Sequence, residues 1–307
     1  ITTWKQLMPQ LDSPHRLSPN GFVSGVFLMA WGFFKKLVIA DRLMPAVSVL
    51  VATAQELPGW LVLATAAMYA IVLYADFSGG IDIIRGAAEL LGIDLPENFR
   101  RPFFAASIAD YWRRWHISLG SWFKEYLYFP LGGSRTGTLR TLRNLLLVWL
   151  ATGLWHGASW NYVLWGLYFG VLICLEKLLA PRFRAHPRKG LLAGLYRPVC
   201  LLLAVLGWVL FRAEDLPAAG RYFACLFGGA AGASAQARLY LHDFWPVLLL
   251  GAVGATPLYA KLAGRLGAKL QPGVRAAVQA VLVLALLACS TVWLLNGSFQ
   301  SFVYFQF

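Results

Sequence analysis

Long apolar segments recur along this chain, and most are close to the length that a helix needs to cross a bilayer, about 20 residues. Hydropathy places them at residues 21–51, 58–75, 142–153, 160–180, 196–211, 245–260 and 276–295. Only 13% of the 307 residues are charged and 59% are hydrophobic, whereas a soluble domain is about 25% charged. Such a chain cannot cover itself with polar surface. We therefore predict an all-α integral membrane protein.

The distribution of Lys and Arg predicts how the chain crosses the membrane. In a soluble protein the net charge of +13 would suggest a nucleic-acid partner. Here the cations fall between apolar spans, so we expect no nucleic acid. Segments 181–190 and 261–275 carry four cations each, while the three Arg residues of 212–244 are offset by three acidic residues. Basic loops are usually cytoplasmic, so 212–244 and the C-terminus are predicted to be external.

Two stretches interrupt the apolar pattern. Lys35 and Lys36 lie inside the first span, which predicts a helix, a break and a second helix. Segment 76–143 is too polar to span and too aromatic for a loop, and it carries eight Lys or Arg residues from position 100 onwards. Within it, residues 104–129 are predicted to form amphipathic or re-entrant helices. These helices either anchor the bundle at the membrane interface or form the wall of a reaction chamber.

A histidine lies in the motif Leu154-Trp-His-Gly-Ala-Ser-Trp160, within otherwise apolar sequence. An ionisable residue at membrane depth is costly and therefore marks a functional site by default. The charge pattern of the loops places His156 within the membrane or on its external half. Gly157 and Ala158 are expected to leave the backbone beside it open to a substrate. From the residues alone, a histidine that only bridges two helices through hydrogen bonds fits equally well.

A second histidine, His116, lies in the aromatic and basic segment Tyr111-Trp-Arg-Arg-Trp-His-Ile-Ser-Leu119. A helix that only anchors the protein to lipid has no need of an imidazole. His116 therefore favours the chamber wall over the interfacial anchor. The remaining histidines have loop-like surroundings and are expected to be solvated: His15, His186 and His242.

Nothing in the sequence indicates metal or nucleotide chemistry. The four cysteines show neither metal-ligand nor redox spacing: Cys174, Cys200, Cys225 and Cys289. No cluster of His, Cys, Asp and Glu has the spacing of a metal site, and no phosphate-binding glycine loop occurs. We expect no metal ion, no ATP and no tightly bound cofactor.

The most specific signal is a set of five ordered motifs. They are Tyr74-Ala-Asp-Phe-Ser-Gly79, Pro96-Glu-Asn-Phe-Arg-Arg-Pro102, Trp112-Arg-Arg-Trp-His-Ile-Ser-Leu119, Tyr126-Leu-Tyr-Phe-Pro-Leu-Gly-Gly133 and Leu154-Trp-His-Gly157. Together they resemble the membrane-bound O-acyltransferase family, in particular the bacterial branch that contains alginate O-acetyltransferase and the teichoic-acid D-alanyl transfer protein. The final Phe302-Val-Tyr-Phe-Gln-Phe307 is also similar to that branch. Gly80 departs from the aromatic residue that this pattern would have after Gly79.

The resemblance implies a polytopic transmembrane helical bundle with re-entrant or amphipathic helices around a central reaction chamber. Residues 1–307 would form a single domain of this family without the family's N-terminal helices. Segment 76–143 would be its amphipathic or re-entrant part, and 142–307 its transmembrane helices. The expected location is the bacterial inner membrane, which the chain would cross several times.

The resemblance also implies a reaction, the transfer of an acyl group from a thioester to a hydroxyl. It assigns His156 as the general base. It makes His116 a second catalytic histidine that orients the substrate, donates to the developing oxyanion or holds His156, and a structural role is the alternative. The nearest polar candidates for oxyanion or tautomer-fixing contacts are Ser118, Ser121 and Asn161.

The implied donor is acetyl-CoA or an acyl carrier protein thioester on the cytoplasmic side. The implied acceptor is an extracytoplasmic polysaccharide or a secreted acyltransferase partner, and membrane lipid surrounds the protein. Acetyl is the expected group because Leu131-Gly-Gly-Ser-Arg135 is more similar to polysaccharide O-acetyltransferases than to the D-alanyl branch. Two alternatives stay open, D-alanyl transfer to teichoic acid and a non-catalytic transporter or export subunit. A transporter usually shows an internal repeat, and none is visible in this sequence.

Charged residues outside the histidine motifs carry less specific expectations. Asp76 and Asp82 follow an apolar span. Asp76 is expected to cap a helix or to pair with Arg85 or Arg100. Candidates for contact with an acyl carrier, a coenzyme A phosphate or lipid are Arg113, Arg114 and Lys124.

Cysteine labelling tests the predicted topology. In a variant without the four native cysteines, Ser234→Cys should react with an impermeant thiol reagent added to intact cells, because 212–244 is predicted to be external. Ala185→Cys should react only after permeabilisation, because inner-leaflet lipids attract its basic loop by about 1 kcal/mol per cation. The opposite pattern would place the His156 end of its span on the cytoplasmic side and would exclude an extracytoplasmic acceptor.

Overall fold

The structure, a computed structural model, describes residues 2–14, 18–135, 137–184, 191–228, 232, 235–256 and 258–296. Within these ranges it consists of helices, turns and one isolated β-bridge, which confirms the predicted all-α class. The α-helices are α1 (Trp4–Leu11), α2 (Pro19–Phe33), α3 (Asp41–Ala52), α4 (Gly59–Leu90), α5 (Ile108–Trp112), α6 (Ile117–Phe123), α7 (Thr138–His156), α8 (Trp160–Arg184), α9 (Leu191–Arg212), α10 (Leu216–Phe227), α11 (Ala235–Gly254), α12 (Leu258–Gly267) and α13 (Pro272–Asn296). The described residues do not include His15, His186, Ala185, Ser234 or the motif 302–307.

Five helical stretches are long and apolar enough to cross a membrane, as expected of a membrane protein. They are Pro19–Ala52, Gly59–Leu90, Trp160–Leu179, Gly194–Arg212 and Gly273–Asn296. The predicted spans at 142–153 and 245–260 are not among them. The first lies within α7, which opens with the polar sequence Thr-Leu-Arg-Thr-Leu-Arg-Asn. The second is wrong as a single helix, because α11 ends at Gly254 and α12 begins at Leu258.

The chain divides into two compact units. One, the lysine unit, takes in residues 2–53, 67–96 and 233–307, and the other, the histidine unit, takes in residues 54–66 and 97–232. The lysine unit contains the two lysines that interrupt the first apolar span. The histidine unit contains both histidines of the predicted site.

In the lysine unit, the predicted break at Lys35 and Lys36 is wrong. The α2 helix continues through a π-helical turn, Phe34–Ala40, into α3, so that Pro19–Ala52 is one continuous helical stretch. This stretch packs closely against α4 at pairs of glycines. A Cβ atom on Gly32 would lie 2.6 Å from the carbonyl oxygen of Gly79, and one on Gly25 would lie 2.8 Å from that of Gly86. Small residues permit this close approach of two apolar helices.

The α4 helix extends beyond the predicted span 58–75 to Leu90, so residues 76–90 do not belong to the irregular segment. Two of its carboxylates, Asp76 and Asp82, pair with the lysines of the π-helical turn. The Nζ atom of Lys36 lies 2.7 Å from carboxylate oxygens of both Asp41 and Asp76, and Lys36 and Asp76 are almost completely buried. Asp76 therefore pairs with Lys36, a partner that was not predicted from the sequence.

The second lysine makes a parallel set of contacts. The Nζ atom of Lys35 lies 2.6 Å from Asp82 and donates to Ser78 at 2.9 Å. Asp82 has a further, longer contact with Arg85, at 3.8 Å. Burying a single charge in apolar surroundings costs several kcal/mol, so each lysine is tolerated because a carboxylate accompanies it.

In the histidine unit, the predicted helices within 104–129 are present as α5, α6 and a π-helical turn, Lys124–Tyr128. Their buried side chains recur every three or four residues: Ile108, Tyr111, Trp115, Leu119 and Phe123. This face joins an aromatic core in which the indole N–H of Trp208 donates to the hydroxyl of Tyr111 at 2.9 Å. Rings of Trp112, Trp165 and Phe169 pack in the same cluster.

The ion pairs of the lysine unit predict that removal of Lys36 lowers the free energy of unfolding more than removal of the Asp76 charge. Lys36→Met should lower the free energy of unfolding by about 3–5 kcal/mol, because it leaves two carboxylates without their cation in apolar surroundings. Asp76→Asn should cost less, because Lys36 keeps Asp41. Thermal unfolding of the purified protein in detergent measures both, with Lys5→Met on the exposed side of α1 as the matched control. Equal small losses for all three variants would contradict a stabilising role for the pair.

Candidate active site

His156 is the last residue of α7. The helix ends there because Gly157 adopts φ +155° and ψ +162°, an extended conformation that only glycine adopts readily at this φ. The Gly157 N–H still donates to the carbonyl of Leu154 at 3.2 Å, and α8 begins three residues later at Trp160. The imidazole is thus held at a tight helix–helix connection instead of in the middle of a span.

The space beside Gly157 is filled by protein. A Cβ atom at this position would lie 2.8 Å from two ring carbons of Tyr162. The glycine is therefore required for the packing of this tyrosine. Gly157 itself is partly exposed and Ala158 is exposed, and the open approach of a substrate beside His156 stays a prediction.

Aromatic rings surround the imidazole of His156. Ring centroids lie 4.9 Å away for Trp155, 5.1 Å for Trp165 and Phe211, and 6.5 Å for Tyr162. The three closest rings are nearly perpendicular to the imidazole, in edge-to-face arrangements that aromatic pairs favour. The elements that position His156 are therefore α7, α8 and α9.

His116 lies immediately before α6 and is 8% exposed. Its backbone is in the left-handed region, with φ +47° and ψ +53°. The centroid of its ring lies 6.4 Å from that of Trp155, the same residue that packs on His156. The structure therefore brings together the two histidines that the sequence singled out, with one tryptophan in contact with both.

Both imidazoles are neutral at pH 7. Burial lowers the pKa of His156 from 6.5 to about 4. Burial, and then the nearby His156, lowers the pKa of His116 to about 3. Neither residue lies in one of the five helical stretches that could cross a membrane. A neutral imidazole has one nitrogen that accepts a proton and one N–H that donates a hydrogen bond.

The three polar candidates near the histidines have different surroundings. Ser118 donates its hydroxyl to Asn98 at 2.6 Å, and Ser121 is exposed. Asn161 is 2% exposed, and its Nδ2 donates to the carbonyl of Ala213 at 2.7 Å. Its Oδ1 has no hydrogen-bond partner among the described residues. Asn161 is therefore the one candidate of the three with a buried acceptor atom that lacks a hydrogen-bond donor among the described residues.

The basic candidates for donor or lipid contact also differ. Arg114 pairs with Asp110 at 3.0 Å, whereas Arg113 is 67% exposed and its contact with Asp110 is longer, at 3.3 Å. Burial acts to raise the pKa of Asp110, but the N–H of Ala106 and the Arg114 guanidinium outweigh it and hold that pKa below its ordinary value. Lys124 is exposed, with its ammonium 5.5 Å from the centre of the Phe129 ring. Of these three candidates, Arg113 and Lys124 are thus the two available at the surface.

His242 lies in α11 and not in a loop, and its side chain is exposed, as expected of a solvated histidine. Its Nδ1 lies 3.2 Å from a carboxylate oxygen of the neighbouring Asp243. His242 therefore provides a surface histidine for comparison with the two in the site.

Sequence reasoning missed Glu176, which lies in the apolar stretch Trp160–Leu179. Its carboxylate accepts from the backbone N–H groups of Ile108 and Ala109, at 2.6 and 2.9 Å, and from the hydroxyl of Tyr196 at 2.6 Å. It therefore fixes the start of α5 to α8 and α9. An acidic residue inside an apolar span was the signal available in the sequence.

Comparison with known proteins agrees with the motifs. Residues 1–207 match the membrane-bound O-acyltransferase family. The probable alginate O-acetylase AlgI of Azotobacter vinelandii is 39% identical over 230 residues, 74% of this chain and 44% of that protein. The peptidoglycan O-acetyltransferase of Helicobacter pylori is 37% identical over 71% of this chain and 42% of its own length.

More limited similarity extends to the teichoic acid D-alanyltransferase of Bacillus subtilis, which is 34% identical over 34% of this chain and 28% of its own length. The chain spans less than half the length of these relatives. The match over 207 of the 307 residues shows that the chain belongs to the membrane-bound O-acyltransferase family.

Variants of Glu176 and Tyr196 test how α5 is held. Glu176→Ala should lower the free energy of unfolding by about 3 kcal/mol, because two backbone N–H groups lose a charged acceptor. Tyr196→Phe should cost about 1 kcal/mol, because the carboxylate keeps both backbone donors. Thermal unfolding in detergent measures the order, with Glu97→Gln, which disrupts an exposed ion pair with Arg100, as the control. A Tyr196→Phe loss equal to that of Glu176→Ala would contradict this account.

Proposed function

We propose that this protein is an O-acyltransferase that moves an acetyl group from a thioester to a hydroxyl, with His156 as general base. The observation that carries the proposal is the contact of one residue, Trp155, with both His156 and His116. A hydroxyl has a pKa far above 7, so a positioned base must take its proton as it attacks. An imidazole that is neutral at pH 7 can do this.

In the proposed reaction, the hydroxyl oxygen attacks the thioester carbonyl carbon while its proton passes to the imidazole of His156. The carbonyl oxygen becomes negatively charged in the tetrahedral intermediate. When that intermediate collapses, the carbon–sulfur bond breaks, and the proton passes from His156 to the leaving thiolate. The products are an ester and a thiol, and His156 returns to its neutral form.

We assign His116 a supporting role beside His156. Its neutral imidazole carries one N–H, which would donate to the developing oxyanion or orient the substrate beside His156. The lowered pKa of His116 keeps it a neutral donor and avoids a second positive charge when His156 becomes protonated. The buried Oδ1 of Asn161 is a candidate acceptor for the imidazole N–H of His156, a contact that would fix the tautomer of the base.

The proposed donor is acetyl-CoA or an acyl carrier protein thioester at the cytoplasmic side of the bacterial inner membrane. The proposed acceptor is a hydroxyl of an extracytoplasmic polysaccharide or of a secreted partner that completes the transfer. Acetyl is favoured over D-alanyl because the acetyltransferase relatives match about 70% of this chain and the D-alanyltransferase about one third. Mass spectrometry of the group released from the surface polymer separates the two, and a non-catalytic export subunit would release neither.

His156→Ala in the full-length protein should lower polymer acetylation at least 100-fold, because a positioned base contributes about 10²–10⁴-fold to such a reaction. Ester content of the surface polysaccharide is measured in cells that carry the variant in place of the wild-type gene. The amount of protein in isolated membranes is measured in parallel. We expect that amount to stay normal, because one imidazole contributes little to a bundle this apolar.

His242→Ala is the matched control, since it makes the same chemical change at an exposed histidine. It should leave acetylation at the wild-type level. Wild-type acetylation in the His156→Ala strain, at normal protein level, would refute the assignment of the base.

A further inference from the structure

The backbone on both sides of His116 is hydrogen-bonded to one neighbouring segment, residues 98–100. Before it, the carbonyl of Arg114 accepts from the N–H of Arg100 at 2.9 Å. After it, the N–H of Ile117 donates to the carbonyl of Asn98 at 3.0 Å. Phe99 and Trp115 lie opposite each other in the antiparallel bridge that results. His116 is therefore the first residue beyond a short two-stranded pairing.

The side chain of Asn98 completes this attachment. Its Oδ1 accepts from the backbone N–H of Ser118 at 3.0 Å and from the hydroxyl of Ser118 at 2.6 Å. Asn98 is 6% exposed and Ser118 is 8% exposed, so water does not compete for these bonds. The first N–H groups of a helix need a partner from outside the helix. For α6 that partner is Asn98, and the residue at the N-cap position, His116, is left to other contacts.

This attachment is needed because of the backbone conformation of His116. The left-handed conformation is rare for a residue with a side chain, although histidine is among the residues enriched there. Such a conformation persists only where several contacts with the surrounding structure hold it in place. At His116 the bonds made by Asn98 to Ile117 and Ser118 do this. A relaxed backbone at His116 would turn its imidazole away from Trp155 and hence from His156.

We propose that Asn98 is a positioning residue, which holds the imidazole of His116 in the active site through the start of α6. The proposal rests on the function proposed above for His116. Asn98 acts on the position of another side chain, so its loss should lower the turnover number and leave the KM for the acyl donor nearly unchanged. A residue that only stabilises the fold would lower the amount of active protein without a selective effect on His116.

Three variants and one control test the proposal in purified full-length protein. Asn98→Ala should lower kcat roughly 10- to 100-fold, the loss expected from a misplacement of about 1 Å. Asn98→Asp keeps an oxygen acceptor and should recover most of that loss. Ser118→Ala should give an intermediate loss, because the backbone N–H of residue 118 still donates to Asn98. Ser290→Ala, the same change at a buried serine of α13 that bonds its own helix, should have wild-type kcat.

A second measurement reports the position of the His116 imidazole and does not depend on enzyme activity. Diethyl pyrocarbonate modifies accessible neutral imidazoles, and mass spectrometry of peptides gives the rate at His116, with exposed His242 as the internal reference. The rate at His116 should rise several-fold in Asn98→Ala and stay near wild type in Asn98→Asp and Ser290→Ala. An unchanged rate in Asn98→Ala would overturn the proposal.

A double-variant comparison tests whether Asn98 acts through His116. If Asn98 acts through His116, Asn98→Ala should add almost no further loss of kcat in a His116→Gln background. Full additivity would show that Asn98 acts elsewhere and would overturn the proposal. Wild-type activity of His116→Gln alone would refute the catalytic role of His116, and the modification rate would then decide by itself whether Asn98 positions the ring.

Discussion

In the histidine unit, buried main-chain N–H and C=O groups need hydrogen-bond partners from the protein, because water cannot supply them. The helices that carry the site, α5, α6 and α7, are short or end abruptly, which leaves N–H and C=O groups without partners in their own helix. Several amide or carboxylate side chains in the described part of this unit meet this need by binding main-chain atoms, among them Asn98, Asn144, Asn161 and Glu176. The irregular backbone that carries the site is therefore stabilised by a few polar side chains distributed through an aromatic core.

This arrangement allows backbone conformations that a regular helix would not. His116 adopts the left-handed region and Gly157 an extended form at positive φ, each at a helix end. Unusual backbone of this kind is concentrated at functional sites, where the surrounding structure holds it in place. Because both histidines lie at such helix ends, their rings can reach the same tryptophan from different parts of the chain. A histidine in the middle of a straight span would present its ring only to the facing helix.

Local features of the sequence predicted the helical class, and the ordered motifs predicted the family. Local reasoning was wrong where a partner lies far away along the chain. Hydropathy ended the second span at residue 75 because Asp76 and Asp82 read as polar, but they bind lysines 40 and 47 positions earlier. The partners of Asn98 and Glu176 are likewise 20 and 68 positions away. The resemblance assigned both histidines to one site, but the spacing of 40 residues between them does not predict the contact that each makes with Trp155.

The two units hold ionisable groups in apolar surroundings in two different ways, and the difference explains why a histidine suits the proposed base. In the lysine unit, each of the two buried lysines has a carboxylate oxygen within 2.7 Å of its Nζ atom. In the histidine unit, burial lowers the pKa of each imidazole and keeps it neutral. A buried carboxylate without a cation or hydrogen-bond donors would respond in the opposite direction, since burial raises its pKa and leaves it protonated. Burial therefore removes a carboxylate from use as a base at pH 7, while it keeps an imidazole in the form that accepts a proton.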